Sequence, residues 1–428
     1  MFFWTLTAEL TPVPTSQDVP SPMDELFRLS PTLKRSAADV ITASDLRARM
    51  ASGRQLRIKY GIDVTAPFLH IGHGVNLWAM RELQQAGHKV LLLIGDFTTR
   101  IGDPTGRSAT RPVIAAEQID RDAEAFIEQA GRILLTDPAV FEVRRNSEWW
   151  SAMPLDSFVG LLSEVTHARL IQRDMFAARI AAGAEIRMHE LVYPILQGYD
   201  SCELESDLTI VGTDQHFNEL MGRFLAERLG QPPQVVVTTQ LTPGTDGRAK
   251  QSKSLGNYIA ISDSPREMFG KSMKLPDQLV TTYLRHYTMV PIAEVENLDT
   301  AMASGEVNPM TGKRLLGREL VARYHGQEVA EREDEWFRRV FSERSVPDDM
   351  PVIAVGDPNI ALIDLLQLCL PAASRNELRR LIADGSVRLD GQRKLTDLGQ
   401  RHPVSSGDAL RIGRRRWFRI EFGTRQAL

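Results

Sequence analysis

The sequence predicts an α/β chain: a parallel sheet with a helical insertion, then a helical stretch, then a small α+β module of different charge. Three observations point there. Between Arg57 and Ile94 a strand pattern, a helical pattern and a wholly apolar strand pattern follow one another. A second β-rich run, Leu208-Thr209-Ile210-Val211, comes only after a long helical stretch, and the residues from Ser374 onward switch from acidic to basic.

In chain order, the extension 1–26 begins with an apolar Phe2-Phe3-Trp4 patch that Glu9 interrupts, without the basic segment a signal peptide requires. Its Thr-, Pro- and Ser-rich continuation reads as flexible. No later run reaches membrane-spanning length, so a cytoplasmic location without membrane association is expected. Arg57 to Ile62 reads as a strand and Thr65-Ala66-Pro67 as a turn. Val75, Leu77, Trp78, Met80, Leu83 and Ala86 mark the buried side of a helix. Val90 to Ile94 is apolar throughout, as in a strand covered on both faces, which makes the helix the crossover of a βαβ unit.

A nucleotide-binding domain is therefore assigned to 27–262, interrupted at about 112–198 by helical patterns that include Gln118 to Ile133 and Asp156 to Ala182. Ser264-Pro265-Arg266-Glu267 offers an N-cap, a proline at the first helical position and an acid at the third. It opens a helical domain extending to 347. The proline- and glycine-punctuated 348–358 reads as a linker, and 359–428 as the last domain. A length of 428 residues with 43% hydrophobic composition supports two or three such cores. Cys202 and Cys369 are too few for a disulfide framework, lack metal-ligand spacing and are expected as small buried hydrophobes; no metal site is expected.

Chemistry concentrates in two glycine-bracketed motifs. His70-Ile71-Gly72-His73 places two histidines three apart in the first helical turn. Gly72 permits close approach of a ligand, and the free N–H groups at the helix start favour phosphate. Far along the chain, Lys250-Gln251-Ser252-Lys253-Ser254 carries two lysines three apart in a polar loop, suited to bringing ammonium groups onto a phosphate during displacement at phosphorus. Between them, Tyr193, Gln197 and Asp200 stand at helical spacings of four and three, so they share one face and can converge on one small ligand. Gly212-Thr213-Asp214-Gln215 follows the strand at Leu208, where an open α/β sheet exposes groups at strand ends.

Together these residues resemble the class I aminoacyl-tRNA synthetases, His70 to His73 matching the HIGH motif and Lys250 to Ser254 the KMSKS motif. Gly61 to Pro67, Ile101 to Gly106, Tyr193 to Asp200 and Gly212 to Gln215 narrow the resemblance to the bacterial tyrosyl-tRNA synthetases, from about Phe27 to the C-terminus. The family implies a Rossmann-like catalytic domain that joins L-tyrosine to ATP, with magnesium and no tightly bound cofactor, and then to the 3′ end of tRNA(Tyr). It also implies a homodimer built largely on the helical insertion. By the same resemblance, Asp200 accepts the phenolic proton; Asp103, Tyr193 and Gln197 take the α-ammonium group; and Gln215 and Gly61 complete the tyrosine site. Thr65, His70, His73, Lys250 and Lys253 serve the reacting phosphates and ribose. Asp63, Gly72, Gly212, Asp214, Ser254, Arg107 and Arg111 are assigned to ATP.

Three departures from the family pattern stand out. Gln251 replaces the methionine of KMSKS and is expected to alter loop packing. Val64 replaces a proline and is expected to loosen its turn. Lys59 stands where one branch of the family places a tyrosine that touches the phenol, which leaves Asp200 as the principal reader.

From Ser374 to Leu428 thirteen Arg or Lys face six Asp or Glu, a net of +7 that leaves −11 for the rest of a chain totalling −4. Such asymmetry points to a polyanion. A basic amphipathic helix, a glycine stop and a short strand resemble the S-four type of RNA-binding module. Arg375, Arg379, Arg380, Arg414, Arg415 and Arg416 are expected on RNA phosphates, with Trp417 stacking on a base. Two alternatives remain: a nucleotidylyltransferase, which would not need the lysine loop or the basic tail, and a catalytically altered paralogue that binds RNA or senses amino acid.

Overall fold

The computed structural model describes residues 22–65, 67–105, 114–252, 255–342, 350–390, 393–396, 401–413 and 416–422. The N-terminal extension up to residue 21, Arg107, Arg111, Lys253, Ser254, Arg414 and Arg415 lie outside them. The chain divides into two compact units after Tyr324.

The first unit is built on six strands: β1 (Ala37–Ile41), β2 (Arg57–Ile62), β3 (Lys89–Ile94), β4 (Phe141–Arg145), β5 (Leu208–Gly212) and β6 (Val235–Thr239). Their order is β1-β6-β5-β2-β3-β4, with β1 antiparallel to β6 and the other pairs parallel. Val90 to Ile94 are each at most 3% exposed, the burial that their unbroken apolar character requires. The parallel strands wind outward in both directions from β2 and β5, and at such a reversal a crevice opens beyond the strands' carboxyl ends.

The stretch 112–198 is largely helical, but one strand inside it, β4, extends the sheet beyond β3. The helical pattern from Asp156 to Ala182 is not one helix. It forms three, Leu155–Ser163, His167–Ile171 and Asp174–Ala181, the second opened by Thr166, whose side chain accepts from the Arg169 N–H. Ser264 caps the helix Pro265–Ser272 as its sequence indicates, in a reciprocal box with Glu267. The Val64 N–H donates to Thr99 Oγ1 at 2.8 Å, a bond that a proline at this position cannot make.

The second unit holds a five-stranded sheet. Its strands are β7 (Val352–Val355), β9 (Val387–Leu389), β10 (Arg393–Lys394), β12 (Ala409–Ile412) and β13 (Arg416–Phe422), in the order β10-β9-β12-β13-β7. A separate pair joins β8 (Asn359–Ala361) to β11 (Arg401–Pro403). The span 348–358, expected as a linker, instead contributes β7, which pairs in parallel with β13; Pro351 and Gly356 punctuate the two ends of a strand. Helices Leu362–Cys369 and Arg375–Ala383 cover a core that includes Leu366, Leu378, Ile382, Leu410 and Ile420. Gly385 ends the basic helix at φ +64°, a conformation that disfavours residues with a Cβ.

Candidate active site

A cavity of about 310 Å³ opens where β2 and β5 diverge. Every described residue expected at the tyrosine or ATP site lines it: Gly61, Asp63, Thr65, His70, Gly72, His73, Asp103, Tyr193, Gln197, Asp200, Gly212, Asp214, Gln215 and Lys250.

The histidines shape one wall. His70 is the N-cap of the helix Ile71–Gln85; its Nδ1 accepts from the Gly72 N–H at 3.2 Å, and its own N–H donates to His73 Nδ1 at 3.2 Å. A neutral imidazole that accepts at Nδ1 carries its proton on Nε2, so each ring keeps Nε2 as a donor. Gly72 is required here, because a Cβ would lie 2.9 Å from the His70 ring.

Asp200 lies deeper and is 3% exposed. Its Oδ1 accepts from Trp149 Nε1 at 2.9 Å and Trp150 Nε1 at 2.8 Å, and its Oδ2 from Asn146 Nδ2 at 3.1 Å. Burial raises its carboxyl to about 7, although Asn146, the Lys59 charge and the two indole N–H groups pull the other way. Tyr193 donates to Asp63 Oδ2 at 2.9 Å, and burial, with the Asp63 and Asp103 charges, holds its hydroxyl well above the ordinary range, so it stays a donor. The polar solvent face that Tyr193, Gln197 and Asp200 could have formed is not what the fold makes of them.

Lys59 reaches the same floor, 1% exposed, with Nζ 2.9 Å from Glu219 Oε2 and 2.6 Å from Ser201 Oγ. Gln197 sits on the helix Met188–Glu203, which crosses the helix His216–Arg228 so closely that a Cβ on Gly198 would stand 2.9 Å from the Gly222 nitrogen. That crossing sets Gln197 against Asn218 and Glu219. Sequence reasoning passed over Glu219, Ser201, Asn146, Trp149 and Trp150. The Trp149-Trp150 doublet was the one legible signal, since a buried indole needs an acceptor.

At the other end, Lys250 Nζ lies 2.5 Å from Asp214 Oδ2, its side chain nearly half exposed. Gln251, 7% exposed, donates to Tyr287 Oη at 2.6 Å, and Tyr287 is also bonded to Thr242. The departure from methionine thus ties the loop to the helix Val280–Tyr287 by a hydrogen bond instead of a thioether contact.

In the second unit Arg375, Arg379, Arg380 and Arg416 are exposed. Trp417 is not available to stack on a base: it is 5% exposed, packed with Val340, Met350 and Ala409, with the Arg411 guanidinium 5.3 Å above its ring.

Residues 51–342 match the family model described as tRNA synthetases class I (W and Y). A curated tyrosine–tRNA ligase from Moorella thermoacetica is 42% identical over 400 residues, 92% of this chain and 96% of that protein. One from Thermotoga maritima is 41% identical over 396 residues, 92% and 98% of the two chains. The solved tyrosyl-tRNA synthetase of Archaeoglobus fulgidus complexed with L-tyrosine superimposes with a TM-score of 0.56 at 21% identity, over 73% of this chain and 99% of that one. A C-terminally truncated mitochondrial tyrosyl-tRNA synthetase of Aspergillus nidulans gives 0.58 at 21% identity, over 75% and 94%. The structural likenesses speak to the fold.

Proposed function

The chain belongs to the class I tRNA synthetases (W and Y), and from that premise we propose that its cavity activates L-tyrosine with ATP and passes the tyrosyl group to tRNA(Tyr). Asp200 is the observation that carries the amino-acid choice. Three N–H donors occupy part of its carboxylate, and an ionised carboxylate offers about four acceptor positions. A phenolic O–H completes the set, and an analogue without the hydroxyl leaves a desolvated acceptor unmet.

ATP enters as its magnesium complex, with the metal held by phosphates and water. A tyrosine carboxylate oxygen attacks the α-phosphorus in line, and the bond to the bridging oxygen breaks so that pyrophosphate leaves with the electron pair. Positioning and charge stabilisation account for catalysis of such a step. His70, His73 and Thr65 line the cavity around the start of the helix Ile71–Gln85, where N–H groups favour phosphate. Lys250, with Lys253, Arg107 and Arg111, supplies cationic charge to the departing pyrophosphate; Asp214 releases Lys250 and takes the ribose. A terminal ribose hydroxyl of the tRNA then attacks the acyl carbon, and AMP leaves.

Arg375, Arg379, Arg380 and Arg416, with Arg414 and Arg415, are assigned to tRNA phosphates, in keeping with the +7 charge of that end. Homodimerisation through the insertion is supported by Leu155, Val159, Ile180 and Met188, which are 77%, 55%, 53% and 73% exposed. No helix among the described residues is long and apolar enough to cross a membrane, and the bacterial relatives support a cytoplasmic location.

ATP–pyrophosphate exchange, run with each amino acid separately and without tRNA, tests the reading. Exchange with tyrosine and little with phenylalanine supports it; no exchange with any amino acid sinks it.

A further inference from the structure

Glu219 is 1% exposed and accepts four hydrogen bonds: two from Lys59 Nζ at 2.9 and 3.1 Å, one from Gln197 Nε2 at 2.8 Å and one from Gln234 Nε2 at 2.8 Å. An ionised carboxylate only accepts, so the Gln197 amide is obliged to turn its nitrogen toward Glu219. Its oxygen then accepts from Asn218 Nδ2 at 2.7 Å. The same Asn218 nitrogen donates to Gln215 Oε1 at 2.9 Å, and Gln215 Nε2 donates to Asp103 Oδ2 at 3.0 Å. The chain therefore has one direction, imposed by an acceptor-only group at each end and by Asn218 giving both of its N–H groups in the middle. Reversing Gln197 would set its carbonyl oxygen against the buried Glu219 carboxylate, and reversing Gln215 would set its own against the half-buried carboxylate of Asp103.

Resting on the tyrosine reading above, we infer that Glu219 and Asn218 are positioning residues for amino-acid recognition. They fix the polarity of this chain so that a substrate's α-ammonium group meets the carbonyl oxygen of Gln197 and not its amino group. Neither needs to touch the substrate. Lys59 is the counter-charge to Glu219 in this buried floor.

The test uses the full chain and two ligands, tyrosine and 3-(4-hydroxyphenyl)propanoate, which keeps the phenol and carboxylate but lacks the α-ammonium group. Glu219→Gln can donate as well as accept and so releases the constraint on Gln197. Tyrosine binding is expected to weaken about tenfold, in line with loss of a bond to a charged group, while the Kd of the deaminated analogue stays within about twofold. The double variant K59M/E219Q removes the lysine left unpaired and is expected to show the same selective loss, so a misfolded single variant does not end the experiment. Equal weakening of both ligands, or unchanged tyrosine binding, overturns the proposal. A parent protein that supports no tyrosine-dependent exchange overturns the tyrosine reading itself, before any variant is made.

Discussion

The two ends of the cavity are built on opposite principles. At the end proposed for the amino acid Asp200, Lys59 and Glu219 are almost wholly buried, and each is already held by several partners. At the end proposed for the phosphates the described cation, Lys250, is nearly half exposed and held by one carboxylate, Asp214. A group that reads a substrate by hydrogen bonds gains from being fixed beforehand, because desolvated, unmatched partners are costly. A group that must follow charge from bound triphosphate to departing pyrophosphate gains from an exchangeable partner. One end is held by several buried partners, the other by a single half-exposed ion pair.

The sharpest way to break this contrast is Asp200→Ala, which leaves two indole N–H groups without their acceptor and Asn146 with only Thr98, as well as removing the proposed phenol reader. Tyrosine-dependent kcat/KM is expected to fall about 10²- to 10³-fold, read by pyrophosphate exchange; a loss below tenfold would remove Asp200 from its assigned place. Lys250→Ala should lower kcat of activation about 10²-fold with little change in the Kd for tyrosine, measured by equilibrium titration. A comparable loss of tyrosine affinity would mean the two ends are one structural unit.

Deleting the second unit, from His325 onward, should leave exchange within about twofold while tRNA charging drops more than about tenfold, as expected when phosphate contacts supply much of the affinity. Equal loss of both activities would contradict the division of labour.

A smaller effect concerns pH. With the Asp200 carboxyl raised to about 7, tyrosine affinity should decline as the pH falls through that value, with uptake of one proton, because the ionised form is the acceptor. Stability runs in the opposite sense. The fold holds an extra proton between the ordinary value of 3.8 and about 7, so the cost of ionising Asp200 is absent below about 4 and complete above about 7. Replacing Asp200 with Asn should flatten that part of the profile of Tm against pH.

A smaller change still is expected from Tyr287→Phe. It removes the hydroxyl that accepts from Gln251 and should cost about 1–2 kcal/mol of stability, seen as a Tm lowered by a few degrees. Gln251→Met, which also removes a buried carbonyl oxygen lacking a hydrogen-bond partner, should come out near neutral.

Much of the site was legible wherever chemistry and spacing are local. Two histidines around Gly72 at a helix start, and Tyr193, Gln197 and Asp200 at steps of four and three, need only helical geometry to share a face, and all of them line the cavity. Gly212 to Gln215 was legible because strand ends in a parallel sheet are where ligands sit. The partners were not. Glu219 lies 160 positions from Lys59, and Trp150 and Asn146 lie 50 and 54 positions from Asp200. No pattern along the chain states which buried donor meets which acceptor. The unexpected strand β7 and the burial of Trp417 have the same origin, since pairing with β13 and packing against Met350 exist only once distant segments meet. The sequence by itself determined the βαβ core, the helix starts and the local motifs whose described residues line the cavity, because each depends on residues within one turn or one strand of each other. Tertiary structure alone decided the direction of the hydrogen-bond chain, the charge balance under Lys59 and the environment of Asp200, because desolvation and pairing belong to the assembled interior and not to any segment of it.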